Sequence, residues 1–220
     1  MLENVKQDYC RINYCRSQKP EQVSIVRLLF EAVRNSGFRA VVFYRTGRWC
    51  RVRRLGLMAA LFERLMRHWS HCWISTLADI GPGFVIAHVC GIIIPPGVRI
   101  GANCTVRQNV TLGGNYGKKD EEGRTNPWLE DEVSIGPGAA ILGPIKIGRN
   151  TIIGANAVVT THIPENSVVG GMRAEVVALR NEDGSIRHYD EKIFFSRREL
   201  YERLRNLEKR LEELESRVRK

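Results

Sequence analysis

The chain has 220 residues, 43% of them hydrophobic, and a formal net charge of +10 at pH 7. That length suits one compact domain with extensions, or two small ones, and supplies enough apolar material for a proper core. No apolar run reaches the ~18 residues of a membrane span, and the N-terminus lacks the apolar stretch of a signal peptide, so the expectation is a cytoplasmic protein.

The charge is concentrated at one end. Residues 1–78 carry 14 basic and 5 acidic side chains, residues 79–178 carry 8 and 9, and residues 179–220 carry 12 and 10. The excess therefore belongs to the N-terminal part and points to nucleic acid, anionic lipid or an acidic substrate. The six cysteines (Cys10, Cys15, Cys50, Cys72, Cys90, Cys104) show no zinc spacing and fit a reduced compartment.

In chain order, residues 1–20 are polar and end at Pro20. Apolar residues at 25, 26, 28, 29, 30 and 33 predict a helix over 21–33, closed by Asn35-Ser36-Gly37. A second helix is expected over 38–53 and a third over 57–74, the latter with Leu61, Phe62, Leu65, Met66, Trp69 and Trp73 on a broad apolar side. Residues 1–78 thus read as a basic α-helical domain, whose plainest role is to pack on the rest of the chain. The sharper reading is peripheral contact with anionic membrane at its inner face, because Arg45, Arg48, Arg51, Arg53, Arg54, Arg64 and Arg67 accompany Trp49, Trp69 and Trp73. No nucleic-acid motif accompanies the charge, so no nucleic-acid partner is expected. His68, His71 and Cys72 lack an evident fourth ligand, and no metal is expected.

From residue 79 the period changes. Ile94, Ile100, Val106 and Leu112 recur every sixth residue, and so do Leu129, Ile135, Ile141, Ile147, Ile153 and Val159. A period of six fits neither helix nor simple strand. It fits a chain that turns a corner after each short strand and points one aliphatic per face into a narrow interior, a β-helix with three faces per coil. Asn103, Asn109, Asn150 and Asn156 fall at corners, where positive φ is needed. Leu112 and Leu129 lie 17 apart, so residues 113–128, polar and Gly-rich, form a loop thrown out from the coil. The β-helix is expected over 79–178, and Asn181-Glu182-Asp183-Gly184 reads as a hairpin-like turn. Leu200, Leu204, Leu207, Leu211, Leu214 and Val218 alternate four and three apart, a heptad seam open to two readings: a trimeric coiled coil or an amphipathic helix on its own domain. The predicted architecture is therefore mainly β, with an N-terminal helical domain and a C-terminal heptad helix over 179–220.

Residues 79–177 resemble the hexapeptide-repeat acyltransferases, most closely the serine acetyltransferase branch. The matching stretches are Ile86-Ala87-His88-Val89-Cys90-Gly91, Gln108 to Gly114, Asn126-Pro127, Ile135 to Gly143, Ile153 to Val159 and Ile163 to Ala174. The resemblance implies a left-handed parallel β-helix, a homotrimer, and acetyl-CoA as co-substrate in the groove between adjacent β-helices. It makes His88 the general base and gives the backbone at Gly113 and Gly114 to the oxyanion. Corner residues Pro137 and Ala155 would lie along acetyl-CoA, and Arg173 would meet a CoA phosphate. The chemistry is sound from first principles, since a hydroxyl attacks a thioester only as a base removes its proton, and imidazole suits that task near neutral pH.

The same resemblance exposes departures. The family's acid partner of the base aligns with Trp73; Asp79 has a similar local context but stands nine residues before His88, half a coil away. The acid beside the base, which holds serine's amino group in the family, is Ala87. The loop His is Asn126, preceded by Thr125, with Arg124 one place earlier. The sugar and surface-polysaccharide O-acetyltransferases that resemble this branch keep the His-x-x-Gly corner without those groups. The sequence therefore favours acetylation of a sugar hydroxyl on a surface polysaccharide or its precursor. Serine O-acetylation in cysteine biosynthesis is the alternative, and a non-catalytic trimeric scaffold is a third. Asp79 remains the candidate carboxylate for His88, and Ala87, Arg124 and Asn126 the candidate acceptor contacts.

Overall fold

The computed structural model describes residues 1–13, 20–171, 175–181 and 185–188, together with Arg205. Four helices come first: α1 (Leu2–Ile12), α2 (Ile25–Arg34), α3 (Ser36–Val52) and α4 (Gly56–Ser70). The expected helix before Asn35 is present, with a Ser24 side-chain cap on Arg27 N. Asn35 both closes α2 and opens α3, its Oδ1 accepting from Phe38 N at 3.1 Å. Two expectations change here. Residues 2–12, read as a polar lead-in, form α1. Trp73 and Ile74, read as the end of the third helix, form the first strand, because His71 takes φ +47 and turns the chain out of α4.

From Trp73 the chain winds as a parallel β-solenoid. The first face holds Trp73–Ile74, Ile93–Ile94, Thr111–Gly113, Ala140–Leu142 and Val158–Val159. The second holds Asp79–Ile80, Arg99–Ile100, Trp128–Leu129 and Lys146–Ile147. The third holds Val85–Ile86, Thr105–Val106, Ser134–Ile135, Ile152–Ile153 and Ser167–Gly170. Each strand pairs in register with its counterpart one coil on, so Ile141 lies between Leu112 and Val159, and Ile153 beside Ile135. All ten aliphatics of the six-residue register are buried. The four asparagines expected at corners have φ between 54 and 58, the left-handed region that Asn tolerates better than other side chains. Gly136 meets a different demand: a Cβ there would lie 2.7 Å from Ala155 N, closer than adjacent coils allow.

The last coil is covered by Glu175–Arg180, which pairs antiparallel with Ser167–Gly170 and is followed by Ile186–His188 on its far side. Asn181 N donates to Ser185 O at 2.9 Å, while residues 182–184 of the predicted turn lie outside the described residues. The heptad seam from Leu200 to Val218 lies outside the described residues, as does Arg173.

The first coil has no coil below it, and the helices take that place. Tyr44 donates to Ala78 O (2.9 Å) and accepts from Ile80 N (3.2 Å). Arg45 donates to Ile80 O and Gly81 O, both at 2.6 Å, and to both carboxylate oxygens of Asp8 at 2.9 and 3.1 Å. Asp8 Oδ1 also accepts from Phe84 N at 2.8 Å. Arg11 donates to Gly83 O and Cys104 O. Both Asp8 and Arg45 are buried. Burial pushes the Asp8 carboxyl up, and Arg45 with the Phe84 amide pull it back.

A buried pair of this kind is fragile to loss of one member. Arg45→Met leaves the buried Asp8 carboxylate without its counter-charge and takes a donor from Ile80 O and Gly81 O, and should destabilise the fold by about 3–5 kcal/mol. Asp8→Leu combined with Arg45→Met should recover part of that loss. Denaturant unfolding of the two variants checks the order.

Candidate active site

The site begins with a break in the register. Ile74, Ile80 and Ile86 keep the spacing of six, but Ile86 to Ile94 is eight positions. The two extra residues enlarge the corner between the third and first faces, and His88 stands on it with Ala87 and Cys90, all exposed. Gly91 closes the corner at φ +60, and a Cβ there would collide with the Asn109 side chain of the next coil. Glycine meets both conditions without strain. The same corner continues along the solenoid through backbone bonds from Gly91 N to His71 O, Asn109 N to Cys90 O, Gly138 N to Gln108 O and Asn156 N to Pro137 O, at 2.7–2.9 Å. His88, Ala87, Pro137 and Ala155 therefore share one edge of the molecule. Within it the Gln108 Oε1 is buried and makes no hydrogen bond.

The other sequence-predicted residues gather elsewhere. Gly113 ends its first-face strand, so Gly113 and Gly114 lie at the opposite edge of the face that His88 leads into. The loop from 113 to 128 leaves from that edge. Asn126 Nδ2 donates to Pro96 O at 2.8 Å and ties the loop down. Arg124 is spent within the loop, on Asp120 (2.6 Å) and Glu122 (3.1 Å). The Arg124 hydrogen bond holds the Asp120 carboxyl below its ordinary range. Asp79, Arg99, Arg124 and Asn126 line one open cavity of about 500 Å³ beneath the loop.

Asp79 is thus not beside His88 in this chain. It sits on the second face, where Arg48 Nη2 holds it at 2.9 Å. Among the described residues no carboxylate pairs with His88. Ala87 accompanies His88, whereas Arg124 and Asn126 do not. Pro137 and Ala155 are aligned with His88 on the corner implied for acetyl-CoA.

Sequence reasoning missed three features. The enlarged corner was readable as the spacing of eight. The second was a cluster at the loop's far side, where Lys146 Nζ lies 5.0 Å over the Trp128 ring and His162 Nδ1 accepts from Lys146 N at 3.0 Å; only the coil-by-coil register places these three together. The third was a thiol pair across the first coil: burial, then the neighbouring Cys90, pushes the Cys72 thiol up to about 12.

Comparison with known proteins identifies the family of this fold. The family described as "Bacterial transferase hexapeptide (six repeats)" matches residues 126–161. The serine acetyltransferase of Bacillus subtilis is 35% identical over 158 residues, 71% of this chain and 71% of that protein. The serine acetyltransferase of Synechococcus elongatus is 35% identical over 162 residues, 69% of this chain and 65% of that protein. The match to that cyanobacterial relative thus spans just under two thirds of its length. A serine acetyltransferase solved in complex with CoA superimposes with a TM-score of 0.64 at 27% identity, covering 79% of this chain and 69% of that one. With its solenoid, its N-terminal helices and its His88 corner, the chain belongs to the hexapeptide-repeat transferases, in their serine acetyltransferase branch.

Proposed function

We propose that the chain is an acetyl-CoA-dependent O-acetyltransferase with His88 as general base. The observation that carries this reading is the enlarged corner, which sets an exposed imidazole in line with the small corners at Pro137 and Ala155, in a branch with a solved member that binds CoA. The imidazole takes the acceptor's hydroxyl proton as its oxygen attacks the thioester carbonyl. The resulting oxyanion takes N–H donors, and its collapse expels the CoA thiolate, which recovers the proton from the imidazolium. Small corners leave room for the pantetheine arm, and Arg173 is the candidate for a CoA phosphate.

Gly113 and Gly114 are the candidate oxyanion donors. Because they lie across the first face from His88, a complete site forms where one copy's His88 corner meets another copy's Gly113–Gly114 edge. This supports a homotrimer as the working form.

For the acceptor, the relatives named above support L-serine, and the sugar acceptor favoured by sequence draws no support from them. One observation keeps the sugar as second reading. Serine carries an ammonium and a carboxylate, yet the His88 corner has no acid, and Arg124 is neutralised by Asp120 and Glu122. A sugar hydroxyl needs neither group.

His88→Ala should lower turnover by roughly 10²–10⁴-fold while acetyl-CoA affinity stays near that of the native chain. His88→Asn should be almost as damaging, since shape is kept but proton transfer is lost. A folded His88→Ala chain with full activity overturns the assignment. Assemblies mixed from His88→Ala chains and Gly114→Val chains should regain turnover that neither has alone.

The acceptor is decided by thiol release from acetyl-CoA with L-serine and a panel of sugars. Serine should be the best substrate. A sugar turned over ~10³-fold more efficiently than serine would reverse the ranking, by the scale expected for losing partners to a charged substrate.

A further inference from the structure

The N-terminal helices carry an apolar surface that the solenoid does not cover. On α2, Ile25, Val26, Leu29, Phe30 and Val33 are between 59% and 78% exposed. Their spacing puts them on one side of the helix, away from the buried Leu28. On α4, Leu57, Met58, Leu61 and Trp69 also fall on one side of the helix and are likewise exposed, as are Val52 at the end of α3 and Leu55 just before α4. Arg39 joins the two stripes, donating to Val33 O at 3.1 Å and Trp69 O at 3.3 Å. Single exposed apolar residues are ordinary on any surface; two adjoining stripes of this length are not.

The border of this surface is cationic. The only acids on α2, α3 and α4 are Glu31 and Glu63. Glu31 is buried and bonded to Arg34, and Glu63 accepts from the Thr76 amide and hydroxyl. Arg53, Arg54, Arg64 and Arg67 are exposed, and no salt bridge among the described residues engages them. Arg53 lies 4.3 Å over the Trp49 ring.

We propose that this face docks on the anionic surface of a lipid bilayer. The apolar stripes enter the acyl boundary while the guanidinium groups remain at the level of the phosphates. No helix among the described residues is long and apolar enough to cross a membrane, so the contact is peripheral. A second copy fits less well. A two-fold contact of this face with itself sets arginines against arginines with no exposed acid to answer them. Nucleic acid would answer the charge and leave the stripes in water. The proposal is independent of the acetyl-transfer reading.

The test is co-sedimentation of the full chain with vesicles of phosphatidylcholine, with and without phosphatidylglycerol. Binding should require phosphatidylglycerol and fall steeply with salt. Arg64→Gln with Arg67→Gln should weaken it about fivefold per arginine. Leu29→Ser with Phe30→Ser should weaken it by about tenfold or more. These positions are exposed, and circular dichroism with a thermal midpoint shows that both variants fold. The proposal is overturned if the chain ignores anionic vesicles at low salt, or if the apolar pair is dispensable. It is equally overturned if duplex DNA is bound more tightly than vesicles and regardless of that pair, or if light scattering shows the pair dissociating an assembly of this chain.

Discussion

A solenoid has an end problem. Each coil satisfies its neighbour's strand groups and buries its neighbour's aliphatics, but the first coil has an open interior and strand carbonyls with no coil beneath them. Arg45 resolves this. One guanidinium takes Ile80 O and Gly81 O, and its charge is returned by Asp8, which α1 carries in and which also takes Phe84 N. The His88 corner belongs to that first coil, and Gly91 N donates to His71 O at the end of α4. The helices therefore fix the coil that carries His88.

The candidate site sits where the six-residue rule is broken. A regular coil offers a reactant only backbone groups and small corners. Chemistry needs extra chain to lift a side chain out of the repeat, and both breaks, two residues at 87–91 and the loop at 113–128, flank the same face on successive coils. The first exposes an imidazole. The second delivers a polar lobe pinned by Asn126 to Pro96 O. Departures from local consistency at working sites are what a functional fold leads one to expect.

The interior was legible because stacking demands one aliphatic at a fixed place in every coil, and Asn at corners because few other side chains accept positive φ. α1 was not legible. Its decisive residue is the buried Asp8, whose partner is 37 positions away, and a periodicity of apolar residues carries no sign of an ionic contact. Trp73 extended the α4 stripe in phase, so only the left-handed turn at His71 separates helix from strand. Asp79 kept the local sequence of a catalytic acid and yet pairs with Arg48, which sequence grouped with a membrane-facing cluster. Arg45, Arg48 and Arg51 of that cluster all turn inward to the first coil, toward Ile80, Asp79 and Thr76.

That sorting bears on how a serine-sized zwitterion could be read by a corner as neutral as Ala87 and His88. The groove under the loop has what the corner lacks: Asp79 is largely exposed despite Arg48, and Arg99 lines the same cavity. The groove lies at the far edge of the first face, the edge that the proposed assembly sets against the His88 of an adjoining copy. If the base works across such a junction, the ammonium and carboxylate are recognised by one chain and the hydroxyl is deprotonated by the other. Ala87 then marks a division of labour between copies, with no change of substrate implied, and the absence of an acid beside His88 within one chain ceases to argue against an amino-acid acceptor.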